Sequence, residues 1–336
     1  MRTSTSSVPA SDYRVLADRI AAAGLLDRRP AATVARMVLP AAAYGAGWLA
    51  LVVIGDTWVS LGAAALLAFG FTQVDFVAHD AGHQQVFGTR RANGALGLIT
   101  GNLLTGLSFG WWVPKHLAHH AHPNVVGRDP DIGTGAVGLS FTADIARSRH
   151  GAGRVLARRQ AWVFFPLLML AGAGLHISGV ADLLFRRSRA AAGEGALLLV
   201  HAGLYLGAVF SVLSPLRGMV FVVVQQALFG LYLGCSFAPN HKGMTVFTDD
   251  SDLDLLSRQI VTARNLTGGP VTTFIFGGLD LQIEHHLFPM MPRCNLRKAQ
   301  RTVRSFCAER HIAYHEDSIV GSYVETLRYL ERIGAA

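Results

Sequence analysis

Six stretches of 18 or more uncharged, mostly apolar residues run along the chain, at 37–54, 57–74, 94–114, 160–181, 195–216 and 218–240. Each is long enough to be a candidate for crossing a hydrocarbon core of about 30 Å. Flanking charge sorts them, because arginines and lysines stay on the cytoplasmic side. Arg28, Arg29 and Arg36 precede the first stretch, the Gly55-Asp56 link has no basic residue, and Arg90 and Arg91 follow the second. These two stretches read as a hairpin that leaves the cytoplasm and returns. The third is rich in Gly and holds Asn102; if it crossed, the histidines at 116–122 and the arginines of 147–159 would lie outside. The fourth has Arg158 and Arg159 before it and Arg186, Arg187 and Arg189 after it. One helix cannot cross and also return, so the third and fourth are expected as re-entrant or interfacial segments. The fifth and sixth form a second hairpin around Ser214-Pro215. The pattern therefore predicts an all-α integral membrane protein with four transmembrane helices, both termini cytoplasmic.

Composition agrees. Hydrophobic residues make up 51% of the 336 and charged residues 15%, against about 25% charged in soluble domains. Mean hydropathy is +0.34. Apolar content this high excludes a disordered chain. Three widely spaced cysteines, Cys235, Cys294 and Cys307, exclude a disulfide framework. The net charge of +8 is mostly arginine at helix flanks. No basic–aromatic module for nucleic acid is present, so no nucleic-acid partner is expected. No apolar core follows the first residues, so no cleavable signal peptide is expected. We expect a single membrane domain over 1–336. Residues 1–36 form a cytosolic N-terminal segment, 37–240 the membrane region with a cytosolic insert at 115–159, and 241–336 the C-terminal part of a helical cap.

The histidines carry the chemistry. His79 and His83 stand at i, i+4 after the second apolar stretch, and His116, His119 and His120 at i, i+3, i+4 after the third. Each set shares one helix face. His285 and His286 close the segment 282–286, where Gln282 takes the i position, and His241 follows the last apolar stretch. All four groups sit where apolar segments end on the cytoplasmic side. Neutral imidazole suits iron, copper, zinc and nickel. Eight convergent imidazoles are too many for one ion and suit two. A histidine-rich site without thiolates, beside apolar helices, fits iron that activates dioxygen near a greasy substrate. His176 and His201 read instead as hydrogen-bonded histidines within the apolar region, and His150, His311 and His315 as surface residues. The second ring nitrogens need acceptors to fix their tautomers. Asp80, Asp129 and Glu284 lie near the clusters, and a helix cap or an ion pair fits any one of the three equally well; Asn124 could hydrogen-bond a ligand or serve an ordinary loop or helix end.

The segments HDAGH (79–83), WWVPKHLAHHAHPN (111–124) and QIEHHLFPMMP (282–292) resemble the three histidine boxes of membrane fatty-acyl desaturases. Gln282 followed by HLFP resembles the front-end and linoleoyl-CoA branch. The resemblance implies four spanning helices under a cytosolic cap and a di-iron centre at their junction. It implies dioxygen as co-substrate, two electrons per turnover, and loss of two vicinal hydrogens from an acyl chain. Carried over by position, the metal ligands are His79, His83, His116, His119, His120, His285 and His286. His241 matches the extra histidine after the last spanning helix. Gln282 stands where other branches have histidine, binding metal directly or through water. The resemblance also implies an acyl substrate held as acyl-CoA, acyl carrier protein or glycerolipid. No His-Pro-Gly-Gly haem motif occurs, so no fused cytochrome b5 domain is expected, and electrons are expected from a separate ferredoxin or flavoprotein reductase. The expected location is the cell membrane, with the active site cytoplasmic.

A lipid hydroxylase, epoxidase or conjugase would use the same boxes and differ only in substrate placement. A membrane zinc hydrolase needs about three protein ligands and an open position, and eight histidines exceed that. A metal transporter would place its ligands midway through the spanning helices, whereas these doublets lie at helix ends. Trp111 and Trp112 are candidates for the wall of a substrate tunnel or for a membrane-interface pair. Arg147, Arg149, Arg154, Arg186, Arg187, Arg189 and Arg293 are available to hold a charged head group.

Overall fold

The computed structural model describes residues 11–133, 138–186, 188–248 and 254–336; Arg187 lies outside them. A short amphipathic α1 (Asp12–Ala22) is capped by Ser11 and leads into the first long hairpin, α2 (Pro30–Ile54) and α3 (Ser60–Gly82). Next come α4 (Arg90–Gly97), a π-helical segment (Leu98–Thr105) and α5 (Phe109–Ala121). Short helices α6 (Ala143–Ser148) and α7 (Gly151–Arg159) precede α8 (Phe164–Leu168) and α9 (Ala171–Phe185). The second long hairpin is α10 (Arg189–Val212) and α11 (Pro215–His241). The polar C-terminal part carries α12 (Leu255–Val261), α13 (Pro270–Ile275), α14 (Gln282–Leu287), α15 (Arg293–Glu309) and α16 (Ile319–Ala335). Two-residue strands β1 (Asn265–Leu266) and β2 (Glu316–Asp317) pair in parallel, Asn265 opposite Glu316.

By length and composition, five segments among the described residues could cross a membrane: α2, α3, the α8–α9 pair over Phe164–Phe185, α10 and α11. The charge pattern predicts four. The fifth candidate is the 160–181 stretch: its flanking arginines lie outside the helical run, so length and hydropathy alone admit it. The 94–114 stretch forms no single helix. It breaks into α4, the π-helical turns and α5, with Gly106 between them in the left-handed region at φ +77°. The break is held by its surroundings. Asn102 Oδ1 accepts from the Phe109 amide at 3.0 Å. His201 Nδ1 lies 2.9 Å from the Leu103 carbonyl and His176 Nδ1 2.8 Å from the Gly106 carbonyl. The two histidines inside the apolar region thus serve backbone carbonyls that the π-helix leaves free.

Small residues let the long helices approach closely, as in membrane helix pairs generally. A Cβ on Gly70 would lie 2.7 Å from the Tyr44 Cα, and one on Gly47 2.8 Å from the Leu67 Cα. Phe71, Tyr205, Val209, Phe221 and Phe229 fill the space between α2, α3, α10 and α11. The outer faces remain apolar and exposed: Leu199 is 76% exposed and Val53 75%, which a lipid environment accommodates and water would not. The polar part has its own core. Leu16 and Ile20 of α1 pack with Leu256, Ile260, Ile283, Leu287, Val303 and Phe306. That core holds α12 and α14 against the ends of α3, α5 and α11.

Candidate metal centre

Four helix C-termini converge on one buried site. α3 brings His79 and its cap residue His83; α5 brings His116, His119 and His120; α11 ends on His241; α14 brings His285 and His286. All eight side chains are buried. Helix C-termini carry partial negative charge and favour a cation. Two sets of ring nitrogens lie within 4.8 Å of one another: His79, His83, His116 and His285 in one, His119, His241 and His286 in the other. His120 sits between them. Its Nε2 is 3.1 Å from His116 Nε2, and its ring stacks on His286 at 4.1 Å.

The outer hydrogen bonds decide the tautomers. His119 Nδ1 lies 3.0 Å from both carboxylate oxygens of Asp129, and His241 Nδ1 lies 2.9 Å from the Thr262 carbonyl. Both partners only accept, so Nδ1 carries the proton and Nε2 bears a free lone pair. His286 Nδ1 lies 2.9 Å from Gln259 Oε1. The Gln259 amide nitrogen donates to the His120 carbonyl at 2.8 Å, which fixes that amide and leaves His286 Nε2 bare as well. His119 Nε2 and His241 Nε2 then lie 3.3 Å apart with no proton between them, and the Gln282 amide nitrogen stands 3.0 Å from His241 Nε2. In the other set His83 Nε2 and His116 Nε2 are 2.8 Å apart. Both nitrogens of His79 and the Nε2 of His285 and His286 have no hydrogen-bond partner. The unprotonated Nε2 atoms of His119, His241 and His286 repel unless a donor or a cation lies among them, and the unpartnered nitrogens of His79 and His285 await one, so the donor set fits metal. Burial, reinforced by the neighbouring imidazoles, holds His83, His116, His120, His285 and His286 well below the usual imidazole range. They stay neutral, the form that binds metal.

The fatty acid desaturase family model matches residues 56–318. The chain belongs to the fatty acid desaturase family. It is 32% identical to an acyl-lipid (9-3)-desaturase of Physcomitrium patens over 82% of this chain and 54% of that protein. It is 29% identical to a Delta(6)-fatty-acid desaturase of Caenorhabditis elegans over 80% of this chain and 64% of the relative. A Delta(8)-fatty-acid desaturase of Arabidopsis thaliana is 29% identical over 95% and 74%. The chain thus spans between about half and three quarters of these relatives.

The other expected residues of this desaturase-family chain take different places. Asp129 accepts from His119 and from the Asn124 and Asp131 amides. Burial pushes its carboxyl up, but His119 and the Lys242 charge outweigh that and hold it at about 2. Asn124, in the left-handed region at φ 55°, touches no imidazole. Its amide donates to the carbonyls of His241, Thr245 and Thr262, joining α5 to α11 and α12. Asp80 pairs with Arg293 at 2.7 Å and stands 3.6 Å from His79 Nδ1. Glu284 turns away from the imidazoles and accepts from Asn265 and Tyr314. Burial raises it to about 7 against those two bonds. Trp112 stacks on His116 at 4.4 Å, so it walls the site directly. Of the cations, Arg293 is tied to Asp80, Arg186 to Asp182 and Glu194, and Arg147 to Asp144. Sequence reasoning missed Gln259 and Thr262. A carbonyl acceptor leaves no residue signature, and a lone Gln in α12 stands many residues from every box.

Proposed function

We propose that this chain is a fatty acyl desaturase whose eight histidines hold two irons. The observation that carries this reading is the convergence of bare, buried imidazole nitrogens in two adjoining sets. His79, His83, His116 and His285 would hold one ion and His119, His241 and His286 the other, with His120 between. An unactivated methylene has no acidic proton, so acid–base chemistry alone cannot break its C–H bond. A bound pair of irons would supply the oxidising power to remove two vicinal hydrogens, with dioxygen, two electrons from the donor and two protons going to two waters. The chain's own residues prepare for that. Asp129, the Thr262 carbonyl and Gln259 keep Nδ1 protonated and the rings aimed inward. Trp112 and the apolar helix ends exclude water beside the rings.

The substrate is an acyl chain on a lipid or thioester, in line with relatives named for acyl-lipid and fatty-acid substrates. A separate ferredoxin or flavoprotein reductase would deliver the electrons. The reading includes a cell-membrane protein with four crossing helices and with the site and both termini cytoplasmic. The test is mass-spectrometric fatty-acid analysis of cells that express the chain with a ferredoxin and its reductase. His286→Ala serves as control, since it removes a ligand. A new double bond in the wild-type cells alone is the expected result. A hydroxylated or epoxidised chain would move the function to a related oxygenase. An unchanged profile with iron-loaded, reducible protein would overturn an action on common acyl chains.

A further inference from the structure

Gln282 occupies the position in its box where a ligating side chain would stand, yet its hydrogen bonds point another way. It is buried beside the second set of imidazoles. Its carbonyl Oε1 accepts from Asn240 Nδ2 at 3.2 Å. Its amide nitrogen lies 3.0 Å from His241 Nε2. In a side-chain amide the oxygen and nitrogen can be exchanged, so the polarity must come from the neighbours.

Here the neighbours settle it from both ends. Asn240 Nδ2 also donates to two backbone carbonyls, Leu279 at 3.0 Å and Ser236 at 3.3 Å. Turning Asn240 over would set its oxygen against both of them. Asn240 therefore turns its nitrogen toward Gln282, its two N–H groups shared among three acceptors, and Gln282 answers with its oxygen. At the other end the Thr262 carbonyl holds the proton of His241 on Nδ1, so His241 Nε2 is an acceptor. A donor from Gln282 suits it. A ligating Gln282 would have to aim Oε1 into the site and its NH2 at Asn240, donor against donor, where both side chains are buried.

On the reading of the cluster as a metal centre, we infer that Gln282 does not ligate metal. It stands beside the centre as a fixed hydrogen-bond donor. Once His241 Nε2 is engaged by an ion, the Gln282 N–H needs another acceptor. The amide nitrogen lies 3.0 Å from His241 Nε2, so it borders an ion held there, and an acceptor bound to the ion comes within its reach. Gln282 thus recognises a small acceptor that binds at the centre, an anion of the azide or hydroxide class.

The test uses the full chain in detergent, loaded with iron and oxidised, with azide as probe. Iron per folded chain is measured by elemental analysis and azide affinity by absorption titration. Gln282→Leu keeps the bulk and removes the donor; Gln282→Ala repeats the test should the Leu side chain disturb folding. Expected are wild-type iron content and azide affinity weaker by about tenfold, as for the loss of one hydrogen bond to a charged acceptor. Iron content that falls by one ion in either folded variant would make Gln282 a ligand and overturn the inference. Wild-type iron with unchanged azide affinity would overturn the donor role. A wild-type chain that takes up no iron would overturn the metal reading itself, and this role with it.

Discussion

Each buried imidazole in the cluster exchanges a comfortable protonated form in water for a neutral one among its neighbours. His83, His116, His120, His285 and His286 all lie below their ordinary value of 6.5, chiefly through burial. Below that pH the unfolded chain binds protons that the folded chain refuses, so stability falls as pH drops. Each such group costs about 1.4 kcal/mol per pH unit below 6.5, until its folded value is reached. Asp129, held at about 2, contributes above its ordinary range and is constant across this window. Glu284, raised to about 7, works in the opposite sense, since its contribution is lost as pH rises through 7. Five groups outweigh one. The iron-free chain should therefore unfold at progressively lower temperature as pH falls from 6.5 to 5.5; a level or rising Tm over that window would contradict the neutral cluster. The histidines were legible in the sequence because i, i+3 and i+4 spacing at helix ends is hard to obtain by chance and because few residue types bind metal. Their acceptors were less so. Of the four residues nominated from proximity in sequence, Asp129 meets a ring nitrogen within hydrogen-bonding distance. Asp80 and Glu284 are drawn off by Arg293, Tyr314 and Asn265, which folding brings from more than a dozen residues away.

Among the elements, the apolar stretches could be read directly, but their internal breaks could not. Nothing local in 94–114 beyond glycine and Asn102 announces a π-helix. The carbonyls it leaves free are met by His176 and His201 from α9 and α10, partners nearly a hundred residues away in the second case. Helix contacts are equally non-local. Gly70 faces the backbone of α2 at Tyr44, and Gly47 answers it by facing α3 at Leu67. Gly70→Ala places a methyl 2.7 Å from the Tyr44 Cα, where only backbone can yield. Overpacking of this kind costs about 1–3 kcal/mol. The variant should unfold several degrees below wild type, as read by intrinsic fluorescence in detergent micelles, because α3 carries His79 and His83 away from their partners when it shifts. Unchanged stability would show that α2 and α3 do not meet this closely.

At the scale of the molecule, the four crossings we propose rest on where the helix ends meet. Asp56, between α2 and α3, accepts from the Ser214 amide at 2.9 Å and pairs with Arg217 at 2.8 Å. Both hairpin turns therefore share one side. α3 and α11 both end in the histidine cluster, on the other side. The chain leaves that cluster at His83 and re-enters it through α5 at His116, so the segment between them crosses an even number of times. It contains one apolar stretch, so in the proposed topology it stays on one side. α10 runs from Arg189 to the Ser214 turn, so it starts on the cluster side. The segment from α5 to α10 thus also begins and ends on one side, and its single apolar run, α8–α9, has no second run to bring it back. Its anchors agree. Leu168 packs on Gly234, about 10 Å before the end of α11, and Arg186 pairs with Glu194 near the start of α10. Length and hydropathy give five candidate spans; four crossings is our proposal, resting on the flanking arginines and on where the helix ends meet. Single cysteines, introduced after the three present are replaced by serine, distinguish the two. Thr57→Cys and Ser214→Cys should react with an impermeant maleimide on intact cells. Ser188→Cys and Ala336→Cys should react only after permeabilisation. Labelling of Ser188→Cys from outside would make α8–α9 a fifth crossing and would place α10 upside down relative to the cluster it borders.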